Sequence, residues 1–440
     1  MRRPLPPLLF PALLATALLG FASPGMARDV FVAPEGAAVD ATPDGGRDRP
    51  FASVQAAFDG GGVAQEGGRI LLLPGEHGDL RLDTARARAT VEIAPAEAGA
   101  VHVQSIYVER GENLDIHGLQ VWPTRPRADG VPSSLVTTRA RSRDVTLRDL
   151  DVRARPDAEN YLAWSLEDWR AAPRNGAQLR GRDIALLDSR FTATHFAIAT
   201  LGERARVEGN VIAGFSGDAM RGLGDGSVFR GNRVSDCIKF NDNHDDGFQS
   251  WSRGDKGASG KGVVRDVVVE SNVIREWTGP KDHPLRCHLQ GIGLFDGIYQ
   301  NWTIRNNVVE VSAYHGIAVY GGVDVTIVNN TVVRSDGGTG KFPWVKLTPH
   351  KDGRPSTGGV VANNLAMRFD IKTDPAHPAV VERNAQTPYP NLALRSPGEG
   401  DFRPEAGGPA FGSADPRYAP PTDAFGRPRG ERPSLGAVEP

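Results

Sequence analysis

Val268-Val269-Glu270-Ser271-Asn272-Val273, Thr303-Ile304-Arg305-Asn306-Asn307-Val308, Thr326-Ile327-Val328-Asn329-Asn330-Thr331 and Val360-Val361-Ala362-Asn363-Asn364-Leu365 are four copies of one pattern. β-formers lead to a polar turn residue, and β-formers follow it. Six further segments share this form, beginning at Leu114, Val145, Ile184, Arg206, Val228 and Val380. The turn position recurs at Gly118, Asp149, Asp188, Gly209, Gly231, Ser271, Asn306, Asn329, Asn363 and Arg383, with shortest intervals of 20 to 23 residues. A strand-built period of this size reads as a solenoid, whose turns bury an apolar face only by stacking. The longer intervals are that unit plus insertions. The asparagines at the turns read as structural, because Asn tolerates left-handed backbone and stacked amides form ladders. The expected fold is all-β: a single parallel β-helix with a short N-terminal capping helix and an irregular C-terminal tail.

The 440 residues divide accordingly. Arg2 and Arg3, an apolar run from Leu8 to Phe21 and small residues up to Ala27 read as a signal peptide over 1–27, so the protein is expected to be secreted or periplasmic. Residues 28–99 are expected to hold the cap and first coils, with a helix over Pro50–Phe58 followed by a buried strand at Ile70–Leu73. The repeats occupy 100–390 and the tail 391–440. No later stretch is long and apolar enough for a membrane span. The formal charge of −2 leaves no basic footprint for nucleic acid. Cys237 and Cys287 stand alone, and the sequence leaves open whether they pair. A monomer is expected.

The chemistry concentrates in Asn241-Asp242-Asn243-His244-Asp245-Asp246-Gly247-Phe248-Gln249-Ser250-Trp251, which carries three carboxylates and an imidazole on one short stretch. Aligning successive coils places Ala197, Met220, Phe248, Ile292 and Ile317 in an apolar column. His195, Asp218, Asp246, Gln290 and His315 then share a polar column, with Arg221 beside Gln249. Stacked coils lie about 4.8 Å apart, so Asp218 and Asp246 are expected as close neighbours needing a cation, a shared proton or an arginine. Asp218, Asp242, Asp245 and Asp246 are hard-oxygen candidates for Ca²⁺. Lys239, Arg221 and His244 are candidates for base or carboxylate clamp. A zinc site from His244 and His315 lacks tight ligand spacing. Insertions such as 155–178 and 236–263 should leave the solenoid on one face; Tyr161, Trp164 and Trp169 in the first are either a sugar-stacking platform or a small satellite core.

These features together resemble the secreted right-handed parallel β-helix proteins of the pectate-lyase-like superfamily: the 50–58 helix before a strand, the Asn-Asn coils, and a tail with Gly408-Pro409-Ala410 and Leu435-Gly436-Ala437-Val438-Glu439. Asp242-Asn243-His244-Asp245 looks like the Asp-Pro-His-Asp/Glu motif of mannuronan C-5-epimerases and related lyases, with Asn243 in place of Pro. That resemblance implies proton abstraction at C-5 of a uronic acid near His244. Asp236-Cys237 and Tyr314-His315-Gly316 are distant echoes of polygalacturonase motifs. The expectation is a polysaccharide lyase acting on an acidic polysaccharide by β-elimination, with His244, Lys239, Asp246, Arg221 and His315 catalytic. Gln249, Trp251, Gln290, His195 and Tyr314 are expected to bind substrate, and Asp218, Asp242 and Asp245 to bind a metal. An epimerase, a glycoside hydrolase or a non-catalytic sugar-binding protein are the alternatives.

Overall fold

The computed structural model describes residues 28–440 apart from 41, 126–133, 173 and 335–341. The signal-peptide reading of 1–27 therefore lies outside the described residues. All ten repeat segments lie side by side, in chain order, in one parallel sheet of 13 strands. Three earlier strands, Asp29–Val32, Gly68–Leu72 and Ala85–Pro95, extend it toward the N-terminus. Two further parallel sheets have 12 and 11 strands. One turn of chain visits the three in order, as in Val228–Arg230, Arg233–Cys237 and Asp246–Trp251, before rejoining the first sheet at Val268–Glu270. The molecule is a single right-handed parallel β-helix, the sense that parallel crossovers adopt.

Stacking builds the core. Val269, Ile304, Ile327 and Val361 occupy one register column, and each is fully buried. All ten turn positions have positive φ, from 46° at Asp188 to 71° at Gly118. Seven coils follow that residue with Asn: Asn210, Asn232, Asn272, Asn307, Asn330, Asn364 and Asn384. Each Oδ1 from Asn232 onward accepts from the backbone N and the Nδ2 of the asparagine one coil earlier, at 2.9–3.1 Å. The Nδ2 groups also donate to carbonyls of the preceding coil, such as Asn307 to Val269 O at 2.8 Å. The ladder satisfies polar groups that the corner would otherwise bury without partners.

The capping helix runs Val54–Gly60, later than the sequence pattern predicts, because Ser53 takes the N-cap and accepts from Ala56 N at 3.1 Å. Phe51 bridges Val32 as extended chain. At the other end, Leu394, Phe402, Leu435 and Val438 pack on Val308, Val333 and Leu365 of the 12-stranded sheet. The tail also forms an antiparallel pair, Leu394–Ser396 with Asp401–Pro404. Among the described residues no helix is long and apolar enough to cross a membrane.

Candidate active site

The 11-stranded sheet carries the polar row. Met220, Phe248, Ile292 and Ile317 align and point into the core, as the coil alignment predicts. The residues just before them also face inward: a Cβ on Gly247, Gly291 or Gly316 would meet Ile274, Val309 or Val332 at 2.5 Å or less. Two successive inward positions occur where the chain turns a corner into the sheet, and only the missing Cβ lets the backbone sit that close to the core. The preceding residues, Asp246, Gln290 and His315, are thereby aimed at the outer face beside Gln249, Gly293 and Ala318.

His195 departs from its expected place. Ile198, not Ala197, pairs with Met220, so the first coil is displaced by one residue, which in a strand exchanges the faces. Ala197 takes the role of the inward glycines. Phe196, not His195, stands beside Asp218, and its ring lies 3.5 Å from the Arg221 guanidinium. His195 turns toward Ser216 Oγ at 3.1 Å and the Phe240 ring at 6.2 Å.

Asp218 and Asp246 are neighbours under the row. Asp218 Oδ2 accepts from Arg221 Nε at 2.6 Å, and its Oδ1 accepts from Asp246 N at 3.2 Å. Asp246 Oδ2 accepts from Gln249 Nε2 at 3.0 Å, while Oδ1 is buried with no protein partner. A Cβ on Gly293 would come within 2.9 Å of that Oδ1 and 2.3 Å of the Phe295 ring, so the glycine is what lets the ring and the fully buried carboxyl pack this close. Burial pushes both carboxyls up. Arg221 opposes this at Asp218, whereas Asp246 also faces the charges of Asp218 and Asp245 and rises well above the carboxylate range. Asp246 therefore carries the proton of the pair.

Two coils along, His315 Nδ1 meets Gln290 Oε1 at 2.5 Å. An amide oxygen only accepts, so Nδ1 carries the hydrogen and Nε2 presents its lone pair. Burial, then Lys346 and Lys351, depress the imidazole to about 4, so it is neutral at ordinary pH. Phe295 and Trp344 flank the ring at 4.8 and 5.5 Å, with Tyr314 at 4.2 Å and partly exposed. Lys346, one coil further, pairs with Asp370 at 2.5 Å and lies 4.7 Å from the Trp344 ring. Trp251 borders the other end, 5.4 Å from the Arg221 guanidinium.

The sequence reading missed Phe196, Phe295, Trp344 and Lys346. Lys346 continues the column Arg221, Gln249, Gly293, Ala318, so carrying the alignment one coil further finds it. The aromatic positions carry no comparable signal.

Loops between the second and third sheets form one wall. Tyr161, Trp164 and Trp169 bury into a satellite cluster with Ile238 and Trp277, which decides between the two readings left open: they are core, not a stacking platform. Cys237 and Cys287 form a disulfide that clamps two of these loops. Lys239 donates to Asp245 Oδ2 at 3.1 Å and to Asn243 O, so its ammonium is engaged in shaping the loop. His244 is exposed and close enough to act electrostatically on both Asp218 and His315.

The expected calcium set does not converge. Asp242 is exposed, Asp218 is engaged by Arg221 and Asp246 N, and Asp245 by Lys239. Among the described residues the one trio of His, Cys, Asp or Glu with ligand atoms mutually within 4.8 Å is Cys237, Asp245 and Cys287, and its sulfurs are joined in the disulfide. A hard cation needs several free oxygens, so these residues do not fit Ca²⁺. Among the described residues neither His244 nor His315 belongs to such a trio, so no zinc site forms around them.

Residues 166–332 match the family described as right handed beta helix region. No curated protein matches the chain. Among solved structures, pectate lyase Pel9A aligns at a TM-score of 0.45 with 16% identity, over 94% of this chain and 98% of that one. The mannuronan C-5 epimerase AlgE4 A-module of Azotobacter vinelandii aligns at 0.42 with 16% identity, over 81% and 98%. The Dettilon tailspike protein aligns at 0.48 with 14% identity, over 81% and 68%. The strand order described above and the match over 166–332 agree on the fold, a right-handed parallel β-helix.

Proposed function

We propose that the chain is an exported carbohydrate-active enzyme, a polysaccharide lyase that cleaves a uronic-acid polymer by β-elimination. One observation carries this reading: a carboxylic acid kept neutral by burial, Asp246, lies in the same column as a neutral imidazole, His315, with Gln290 between them. The C-5 proton of a uronate is acidic only if charge developing on its carboxylate is stabilised. Gln249, whose Nε2 is held by the buried Asp246 Oδ2 at 3.0 Å, donates its other N–H to that carboxylate. His315 Nε2 takes the proton. The C–H electrons form the C-4–C-5 double bond, the C-4–oxygen bond breaks, and the imidazolium returns its proton to the leaving oxygen. Gln290 holds the tautomer that makes this transfer feasible. Arg221, between Phe196 and Trp251, keeps Asp218 charged, and that charge keeps Asp246 protonated.

The hydrolase alternative requires Asp218 as nucleophile or base. Both its oxygens are already engaged, by Arg221 Nε and by Asp246 N, whereas Asp246 Oδ1 has no protein partner, which favours elimination. A C-5-epimerase shares the first step and differs in reprotonating the opposite face. Export is proposed from the 1–27 pattern, and the disulfide agrees with an oxidising compartment. A single chain is taken as the acting unit.

The test is incubation of the purified protein with alginate, polygalacturonate and glucuronan, followed by ultraviolet absorbance, reducing-end assay and NMR. An unsaturated uronate end supports the reading. New reducing ends without unsaturation would favour hydrolysis. Inverted C-5 centres in uncut polymer would favour epimerisation.

A further inference from the structure

A second cavity lies away from the catalytic row, against the loop that carries Trp277 and Arg286. It measures about 660 Å³, within the range of roughly 300–1,000 Å³ typical of small-molecule pockets. The 12-stranded sheet provides its floor through Arg275 and Glu310, which are register partners. The loop supplies Trp277, Lys281 and Arg286, and the tail supplies Gly398 and Glu399 as the facing wall.

The charges inside are unequally engaged. Glu276 is saturated: its Oε1 accepts from Arg286 Nε and Nη2 at 3.0 and 2.8 Å. Its Oε2 accepts from Leu289 N, Ser312 N and Ser312 Oγ at 3.0, 2.7 and 2.6 Å. Glu310 accepts from Arg275 Nε at 2.5 Å. Those pairs neutralise both buried carboxylates and fix both guanidinium planes. They leave Arg275 Nη1 and Nη2, Arg286 Nη1 and the exposed Lys281 ammonium without an acceptor among the described residues. Arg275 Nη1 lies against the tail turn, 2.8 Å from where a Gly400 Cβ would sit. The terminal edge of one guanidinium is thus held rigidly at a cavity wall, an ammonium stands at the mouth, and an indole forms part of the lining.

A planar pair of N–H donors matches a carboxylate in bidentate fashion, and a fixed fork loses little entropy on binding. The largely buried Trp277 indole adds only an apolar edge to this lining. We infer that this cavity is a second saccharide-binding site, separate from the catalytic row, which takes the carboxylate-bearing end of an acidic sugar through Arg275 and Lys281. This assignment does not depend on the elimination reading.

The test is calorimetric titration of the full-length His315→Ala protein with a galacturonate disaccharide, using maltose and a sulfated disaccharide as comparisons. The expected result is a carboxylate-selective site that is weakened about tenfold or more by Lys281→Glu, a variant at an exposed residue. Arg275→Lys, which keeps a charge beside Glu310 but removes the fork, weakens the same site. Gln249→Ala leaves that site untouched and affects only binding at the catalytic row. If only the Lys281-dependent site is seen, this inference stands while the elimination reading loses support. Unchanged binding in both Lys281→Glu and Arg275→Lys overturns the assignment, as does equal affinity for maltose or preference for the sulfated sugar.

Discussion

Replacing Asp245 with asparagine should make the protein more stable, and by an amount that grows with pH. Asp245 is buried beside the disulfide, with Oδ2 on Lys239 and Oδ1 unpartnered. Burial outweighs the lysine and lifts its carboxyl from 3.8 to about 6. The folded-state value lies above the unfolded one, so the stabilising contribution is complete below about 3.8 and is lost as pH rises through about 6. Above that window the native state carries a buried charge whose cost, taken from the difference between the two values, is about 3 kcal/mol. Asparagine keeps the shape, turns its oxygen toward Lys239 and never ionises. Asp245→Asn should be near neutral at pH about 4 and stabilising by up to about 3 kcal/mol at pH about 8, where the cost is fully developed. Denaturant unfolding of both proteins across that range reads the difference directly. A stability difference that does not change with pH, or one that favours the wild type more at high pH, would refute the reasoning.

Gly293→Ala should fold, because its φ lies outside the left-handed region, yet lose about a hundredfold in kcat/KM as the new methyl pushes on Phe295 and Asp246 Oδ1; an activity within a factor of about three of wild type contradicts the geometry. Because His315 is depressed to about 4, kcat/KM should rise with pH through that value and reach a plateau, as the free imidazole becomes available. An acid limb near the ordinary histidine value of about 6.5 would contradict it. Activity should survive a chelator, since the described carboxylates form no hard-oxygen cage; complete loss restored by Ca²⁺ would overturn the metal-free account. Asn307→Ala should cost about 2–4 kcal/mol, since it removes both ladder contacts and leaves buried groups on two coils unpaired; a thermal midpoint equal to wild type would remove the ladder from the account of stability.

The winding is legible because the pattern is redundant: ten turn residues at positive φ and a repeated asparagine say the same thing many times. The row is legible in part for the same reason. Met220, Phe248, Ile292 and Ile317 fix the register, and Asp246, Gln290 and His315 follow from it. His195 does not, because Ala197 and Ile198 both face inward, and matching Ala197 instead of Ile198 to Met220 shifts the coil by one. The calcium cage fails for a different reason. Proximity in sequence among Asp242, Asp245 and Asp246 says nothing about which carboxylates point the same way, and Lys239 and Arg221 claim two of the candidates. Trp164 and Trp169 show that aromatic content in an insertion does not by itself reveal exposure. The cavity beside Trp277 depends on a tail folding back over the second sheet, a contact between residues more than a hundred positions apart that no local pattern encodes.

The central claim is that Asp246 and His315 act together from one outer row. It is tested most directly by kcat/KM for formation of the unsaturated product in Asp246→Asn, His315→Ala and the double variant. The account predicts losses of about a thousandfold or more for each single change, with the double variant little worse than either, because the two groups serve one step. A single variant that keeps activity within about threefold of wild type, or losses that multiply as for independent groups, would contradict it.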